Sequence, residues 1–307
     1  MKNLERRNIC TRPFGRLSAL LLLTLIAASA VFAQEGRLVR EIIHGPSLEE
    51  NVTGEAPDRN VSVYLPPSYD TSPNKRYPVV YLLHGIGDTD KEFTVAWSNG
   101  NSTWGTIQGL MNRGIADGRF GEMIIVMPDA RTKMSGSFFT NSSATGNWED
   151  FTVKDLVSFI DGKYRTLARS ERRGIAGHSM GGYGAIKLGM KHPDIFSVVY
   201  GMNPALLGMG GDVSLDNPAF GALLKMTTPE EVFQGGRYAV GAIALAQAFS
   251  PNPNRPPFYA DLPLKMVAGK LERDEPIHSK WEENLPLNMA ARVRYLLDEE
   301  EPQLFAA

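Results

Sequence analysis

The segment that most constrains the fold is residues 174–184, Gly-Ile-Ala-Gly-His-Ser-Met-Gly-Gly-Tyr-Gly, which contains the pattern Gly-x-Ser-x-Gly. A short apolar run leads into Gly177, and residues 180–191 have a helical composition, so we expect Ser179 on a sharp strand-to-helix turn. Such a turn strains the serine backbone and tolerates only small neighbours, which Gly177 and Gly181 provide. The pattern therefore predicts a nucleophilic serine, Ser179, whose hydroxyl points out above the sheet.

Apolar runs alternate with helical patterns from Gly36 onward, which is typical of an α/β fold with a mostly parallel sheet and helices on both faces. The predicted strands are residues 38–44, 61–65, 76–84, 123–127 and 196–202, and the predicted helices are residues 103–115, 148–164 and 180–191. Residues 262–267 are expected to form a strand or one arm of a hairpin. We predict one domain over residues 34–307, in which residues 203–261, rich in Gly, Pro and Asn, form a lid or cap-like insertion.

The first 33 residues have the pattern of a signal peptide. Five basic side chains precede an uncharged run of 17 residues that begins at Leu17 and ends in Val31-Phe32-Ala33. We predict cleavage after Ala33 and a periplasmic or secreted mature protein without membrane association. The alternative is an uncleaved anchor, although 17 residues are near the lower limit for spanning a bilayer.

Charge and motif content exclude several classes of function. After residue 33 the chain has 27 basic and 33 acidic side chains, which argues against a nucleic-acid partner. The single cysteine, Cys10, lies in the leader, so no disulfide or cysteine metal site is expected in the remainder. The sequence contains no phosphate-binding loop, no His-Glu-x-x-His motif and no dinucleotide-binding fingerprint. We therefore predict neither a cofactor nor a metal.

A second glycine-rich turn, His84-Gly85-Ile86-Gly87-Asp88, directly follows a predicted buried strand. Acyl transfer by serine requires N–H donors for the negative oxygen of the tetrahedral intermediate. A turn at this position can present one such donor, and the first residue of the helix after the serine can present the other. We predict that the N–H groups of Ile86 and Met180 form an oxyanion hole.

Several segments resemble the putative-esterase family of α/β-hydrolases, which includes S-formylglutathione hydrolases, feruloyl esterases, enterochelin esterases and mycolyltransferases. The resemblance covers residues 60–202, and it is carried by Tyr81-Leu82-Leu83-His84-Gly85, Met127-Pro128-Asp129, the helix over residues 148–161, and residues 177–185. It implies an α/β-hydrolase fold and an activity on small-molecule carboxylic esters without a cofactor. It also implies that Ser179 carries the acyl group and that Ile86 and Met180 are the oxyanion donors.

The same resemblance implies an acid after a late strand and a histidine near the C-terminus. Only His192 and His278 follow Ser179, and His192 belongs to a helix-ending His-Pro-Asp turn. Asp274 and His278 follow a strand-like run and are the predicted acid and base.

A different interpretation is that residues 262–288 correspond to the segment that precedes the last two strands in some secreted members of the family. The C-terminal part would then be incomplete or atypical, without the strands that carry the acid and the histidine. The sixth strand would form an exposed edge of the sheet.

Three functional hypotheses follow. The first is an exported serine carboxylic-ester hydrolase that acts through an acyl-enzyme on Ser179. The second is a catalytically impaired or non-catalytic, truncated member of the family. The third is an acyltransferase that passes the acyl group to an alcohol. The sequence predicts no oligomeric state.

Overall fold

The computed structural model describes residues 34–98, 103–208 and 218–290. The predicted signal peptide, residues 1–33, and the end of the chain, residues 291–307, lie outside the described residues. The described residues from Glu35 onward belong to one compact unit.

A six-stranded sheet forms the centre of this unit. Its strands, in chain order, are β1 (Arg37–His44), β2 (Asp58–Leu65), β3 (Val79–Leu83), β4 (Ile124–Pro128), β5 (Arg173–His178) and β6 (Val198–Met202). The spatial order is β1-β2-β4-β3-β5-β6. The first two pairings are antiparallel and the other three are parallel. The sheet is therefore mostly parallel, and β3 and β5, which precede the two predicted site turns, are neighbours.

The helices of the described residues include α1 (Ile107–Ala116), α2 (residues 148–163, with a π-helical segment at Phe151–Leu156), α3 (Met180–Lys191), α4 (Pro218–Leu223), α5 (Pro229–Gln234), α6 (Gly236–Phe249) and α7 (Glu275–Glu283). The predicted first helix begins four residues late because Thr106, whose side chain accepts the Gly109 N–H, caps it.

Side-chain alternation along β3 divides the core into two layers. Tyr81 and Leu83 belong to the larger cluster, which contains the buried residues of α2, α3 and α6. Leu82 belongs to the smaller cluster on the opposite face, where Met111 of α1 packs. Alternate residues of a strand point to opposite faces, so this arrangement confirms the predicted sheet with helices on both faces.

The predicted insertion, residues 203–261, contains α4, α5 and α6. All residues of α6 from Ala239 to Phe249 except Gly241 are buried. A β-carbon on Gly241 would lie 3.7 Å from Cδ1 of Ile86. Helix α6 therefore passes directly beside the second predicted site turn.

β6 lies at one edge of the sheet, the position that the interpretation of an incomplete C-terminal part gives to the sixth strand. Val198 and Tyr200 are 63% and 64% exposed, although both are large apolar residues. In the described part of the chain, no strand pairs with the outer side of β6. Residues 264–267 instead form one arm of a separate hairpin, β7 (Leu264–Val267) with β8 (Lys270–Arg273), so the hairpin interpretation of this segment is confirmed.

Candidate active site

Ser179 occupies the sharp turn between β5 and α3. Its backbone angles, φ 54° and ψ −114°, lie outside the regions that a non-glycine residue normally adopts. Such a conformation costs roughly 1–3 kcal/mol and persists only when its surroundings impose it. Here the Ser179 N–H donates to the Met202 carbonyl at 3.0 Å, and the Ser179 carbonyl accepts the Ala205 N–H at 3.0 Å. The end of β6 and the residues after it thus hold the serine in its strained conformation.

Glycines on both sides of the turn allow the backbones to approach. A β-carbon on Gly177 would collide with the carbonyl of Gly181. One on Gly181 would collide with the Leu83 carbonyl and lie 2.7 Å from the His84 carbonyl oxygen. The start of α3 is therefore pressed against the end of β3, which places the serine turn next to the turn that follows β3.

The turn after β3 is held by hydrogen bonds from the N–H groups of Gly85 and Gly87, the residues on either side of Ile86. The Gly85 N–H donates to Oε2 of Glu92 at 2.6 Å, and the Gly87 N–H donates to the Ser135 carbonyl at 2.8 Å. The Ile86 N–H between them has no protein acceptor among the described residues. This is the state expected of a donor that is reserved for a ligand oxygen.

Met180, the other predicted donor, is the first residue of α3. The first N–H groups of a helix have no intrahelical acceptor, so the Met180 N–H is also available. A β-carbon on Gly136 would lie 2.7 Å from Sδ of Met180 and 3.1 Å from Cγ1 of Ile86. The side chains of the two predicted donors therefore meet at Gly136.

Residues 135–139, which surround this meeting point, contain further strained backbone. Ser135, Phe138 and Phe139 have φ values of 71°, 49° and 46°. Positive φ in bulky residues is rare and concentrates at functional sites. The strain at Ser179 thus belongs to a group of strained residues packed around one small region.

His84, at the start of the turn, is fully buried and has a defined tautomer. Its Nδ1 lies 2.7 Å from the Gly85 carbonyl oxygen, which can only accept, and its Nε2 accepts the Ala130 N–H at 2.8 Å. The ring is therefore neutral with its proton on Nδ1. Burial lowers the pKa of His84, which agrees with this assignment. His84 is a structural support of the turn.

His178, the residue before the serine, forms a hydrogen bond with Glu92. Nδ1 of His178 lies 2.9 Å from Oε1 of Glu92, whose side chain is almost completely buried. Burial raises the pKa of Glu92, and the Gly85 N–H and His178 oppose that rise. One carboxylate thus contacts both the serine turn and the turn after β3.

A largely apolar cavity of about 330 Å³ opens beside the hydrogen bond between His178 and Glu92. It is lined by Glu92, Phe93, Val95, Gly105, Ile107, Leu110, His178 and Met202. Met202 also supplies the carbonyl that holds the Ser179 N–H, so the cavity adjoins the serine turn. It can take the apolar part of a small ligand.

Asp274 and His278 are the predicted acid and base, and the structure pairs each with another residue. The Asp274 carboxylate lies 3.6 Å from Nζ of Lys265, and Nδ1 of His278 lies 3.7 Å from Oε1 of Glu282. Within the residues that the structure describes, no hydrogen bond joins His278 to Ser179 or to the Asp274 carboxylate. Asp274 lines a different cavity, of about 780 Å³, which does not include His178. The assignment of these two residues remains a prediction.

Helix α3 carries a buried lysine that the sequence analysis did not single out. Nζ of Lys187 donates to Oγ1 of Thr140 at 2.7 Å and to Oδ1 of Asn284 at 3.3 Å, and it lies 3.9 Å from Oε2 of Glu149. Burial lowers its pKa to about 7. His192, interpreted as a structural turn residue, contacts Glu149 at 3.0 Å.

Glu92 was likewise missed, because an acid in a polar stretch has no periodic signal. The one available hint is its position seven residues after Gly85, in the loop that follows the glycine-rich turn. Its partner His178 is 86 residues away in the sequence. Contacts of this kind become visible only when the fold brings the two turns together.

The described residues contain no cluster of three or more acidic, histidine or cysteine side chains suited to a metal ion. In the same part of the chain, no helix combines the length and apolar character needed to cross a membrane.

Two curated relatives align with less than half of the chain. An esterase of Mycobacterium tuberculosis (strain ATCC 25618 / H37Rv) is 38% identical over 136 residues, which cover 43% of this chain and 26% of that protein. Endo-1,4-beta-xylanase Y of Acetivibrio thermocellus is 30% identical over 148 residues, 45% of this chain and 12% of that protein. The chain thus spans about a quarter or less of the length of these relatives.

Solved structures with similarity to this chain include a ferulic acid esterase, with 31% identity, a TM-score of 0.47, and coverage of 55% of this chain and 60% of the other. An S-formylglutathione hydrolase from Staphylococcus aureus has 19% identity and a TM-score of 0.40, with coverage of 56% and 58%.

The sequence model of the family described as Putative esterase matches residues 56–266. This match is more than half of the chain, and it includes β2 to β6 with both site turns. The strained serine, the neighbouring turn and five of the six strands of the sheet fall within it. The chain belongs to the Putative esterase family of α/β-hydrolases.

Proposed function

We propose that this protein is an exported serine carboxylic-ester hydrolase that forms an acyl-enzyme on Ser179. The observation that carries the proposal is the strained conformation of Ser179 beside a turn whose Ile86 N–H has no protein acceptor in the described residues. Strain at a serine that adjoins an unused N–H is the geometry needed to attack a carbonyl and to stabilise the resulting negative oxygen.

In the first step, Oγ of Ser179 bonds to the carbonyl carbon of the ester while a base takes the hydroxyl proton. The carbonyl oxygen becomes negative and accepts hydrogen bonds from the N–H groups of Ile86 and Met180. The C–O bond to the alcohol then breaks, and the alcohol leaves with the proton. Water attacks the acyl-enzyme in the same way, releases the carboxylic acid and restores Ser179.

The cavity of about 330 Å³ suggests where the apolar part of the ester binds. It begins at His178, directly before the serine, and its walls include Phe93, Ile107 and Leu110. A pocket of this size holds a small apolar group rather than a long chain or a polymer. We therefore propose a small-molecule ester with one apolar substituent as the substrate.

A second candidate function is supported by the contacts of the predicted acid and base. His278 contacts Glu282 and Asp274 contacts Lys265, while neither bonds to Ser179 in the described residues. Without a base, a serine hydroxyl is a weak nucleophile. This arrangement fits a catalytically impaired or non-catalytic member of the family.

One experiment separates the two. The protein without residues 1–33 and its Ser179→Ala variant would be treated with a fluorophosphonate probe and then assayed with p-nitrophenyl acetate. We expect labelling that is confined to Ser179, and a loss of about 10⁴- to 10⁶-fold in kcat in the variant. A folded wild-type protein that is neither labelled nor active would support the non-catalytic candidate instead.

Export is tested separately by expressing the full chain and sequencing the N-terminus of the product. We expect a protein that begins at Gln34 and is recovered outside the cytoplasm. An unprocessed N-terminus in the membrane fraction would support the uncleaved anchor.

A further inference from the structure

Glu92 is the one described side chain that hydrogen-bonds both site turns through the same carboxylate. Oε2 accepts the Gly85 N–H at 2.6 Å, and Oε1 accepts Nδ1–H of His178 at 2.9 Å. The residue is 5% exposed. Hydrogen bonds to an ionised acceptor are stronger and shorter than neutral ones, and low exposure strengthens them further.

Each of the two partners is adjacent to a proposed site group. Gly85 precedes Ile86, so the orientation of the Gly85 peptide limits the direction of the Ile86 N–H. His178 precedes Ser179 in the strained turn. A β-carbon on Gly85 would lie 3.4 Å from Nδ1 of His178 and 3.6 Å from Cβ of Ser179, so the two turns are in contact where Glu92 joins them.

A second buried acid in the same loop has a different set of contacts. Asp90 accepts two hydrogen bonds from Arg40, at 2.9 and 3.0 Å, and one from the Ser62 hydroxyl at 2.7 Å. These partners lie on β1 and β2, away from the serine turn. Both acids are buried, but only the contacts of Glu92 are made with the two site turns.

We propose that Glu92 is a positioning residue, which holds Gly85 and His178 so that the Ile86 N–H and the Ser179 hydroxyl face the same point. The inference rests on the proposed function, because it assigns Glu92 a role in the same ester hydrolysis. Glu92 acts through the backbone of its partners. It stabilises the transition state by fixing a donor that the ground-state ester uses only weakly.

The test compares Glu92→Gln with Asp90→Asn as a matched control. The glutamine oxygen can still accept one N–H, but its amide group cannot accept the proton of His178. We expect Glu92→Gln to lower kcat for p-nitrophenyl acetate by about 10- to 100-fold, with KM within about twofold of wild type. Asp90→Asn should leave kcat unchanged, even where urea unfolding shows a comparable loss of stability.

Two variants of His178 test its hydrogen bond to Glu92, and they remain informative if Glu92→Gln does not fold. His178→Ala removes the donor to Oε1 and should also lower kcat selectively. His178→Asn places an amide N–H near the position of Nδ1, so it should recover most of that loss. A purely structural role would instead change stability in both variants and leave kcat unaltered.

Wild-type kcat in Glu92→Gln, or an equal loss in Asp90→Asn, would overturn the proposal, provided that the fluorophosphonate probe labels Ser179 in the wild-type protein. A wild-type protein that is not labelled would refute the proposed function, and the role of Glu92 would fall with it. The two failures are therefore distinguishable by the labelling of the wild type.

Discussion

The nucleophile region and the predicted acid–base region of this protein are built in different ways. Ser179 and the Ile86 turn are held by bonds between distant segments, among them Ser179 to Met202 and Gly85 to Glu92. The side-chain contacts of Asp274 and His278 join residues that are all within the short segment 265–282. Long-range bonds fix one position relative to another, whereas local pairs stabilise only their own hairpin or helix. The serine turn is thus tied to distant segments, whereas the side-chain contacts of Asp274 and His278 are local.

The two regions meet at Asn284. The Tyr183 hydroxyl donates to the Asn284 carbonyl at 2.9 Å, and Nζ of Lys187 donates to its Oδ1 at 3.3 Å. Both donors are on α3, directly after the serine, and Asn284 directly follows α7, which carries His278. These contacts therefore connect α3, which follows the serine, with the end of α7.

Lys187→Met tests this junction and carries the largest expected effect on stability. Because burial lowers the pKa of Lys187 to about 7, below its ordinary 10.5, the native state binds fewer protons than the unfolded chain between these values. The free energy of unfolding therefore rises with pH between these two values. Below about pH 7, Lys187 is charged in the native state, and the full cost of burying that charge applies. Methionine removes this dependence. The stability difference between variant and wild type should change by roughly 4 kcal/mol between pH 6 and 10.

Urea unfolding of both proteins at several pH values measures this change. Lys154→Met, on α2 and largely exposed, is the control and should keep the wild-type dependence, because Lys187 and its neighbours are intact. If the free energy of unfolding depends on pH in the same way in wild type and in Lys187→Met, the lysine is not buried as the structure shows.

Gly181→Ala tests the close contact within the nucleophile region. The new β-carbon would collide with the Leu83 carbonyl, a backbone group that cannot move without shifting β3. We expect a loss of about 3 kcal/mol in the free energy of unfolding, measured by urea denaturation. Fluorophosphonate labelling of Ser179 should slow in parallel.

The matched control for this change is Gly162→Ala in α2, where nothing lies within 4 Å of the new β-carbon. Alanine in an open helical position should raise stability by about 0.5–1 kcal/mol. Equal stability of the two variants would show that the contact between α3 and β3 is looser than described.

His278→Gln tests the acid–base region and carries the smallest expected effect. Since His278 contacts Glu282 of its own helix and does not bond to Ser179 in the described residues, we expect kcat to change less than about threefold. His192→Gln, which changes the other histidine that follows the serine, is the control. A loss near 10⁴-fold in His278→Gln alone would show that the ring reaches Ser179 in another conformation and would support the sequence assignment.

Much of the fold could be predicted because the decisive signals are local. The buried runs before His84 and Ser179 are short, apolar and ended by glycine, and they form β3 and β5 as expected. The prediction was weaker after residue 203. Helix α7 begins at Glu275, with Asp274 as the residue before it and Pro276 in its first turn, although no helix was predicted to start there. A proline after an acid is a helix-start signal that was available there.

The same distinction between local and distant signals applies to the candidate site. The serine turn, Ile86 and Met180 were predicted because glycine spacing indicates a backbone that must pass close to another. The acid and base were inferred from their place in the chain, since a carboxylate and an imidazole can serve from many positions once the chain is folded. Glu92 and Lys187 were not found at all, because their importance lies in partners 86 and 47 residues away.

The fixed tautomer of His84 makes this buried ring a spectroscopic probe of the turn. Its Nδ1 proton, held by the Gly85 carbonyl inside the protein, should exchange slowly with solvent and give a resolved downfield NMR signal. Because burial lowers its pKa, that signal should shift only at a lower pH than the signal of an ordinary imidazole. A ligand oxygen that enters beside Ile86 would polarise the adjacent peptide and move this resonance. Binding at the turn can thus be followed without any turnover.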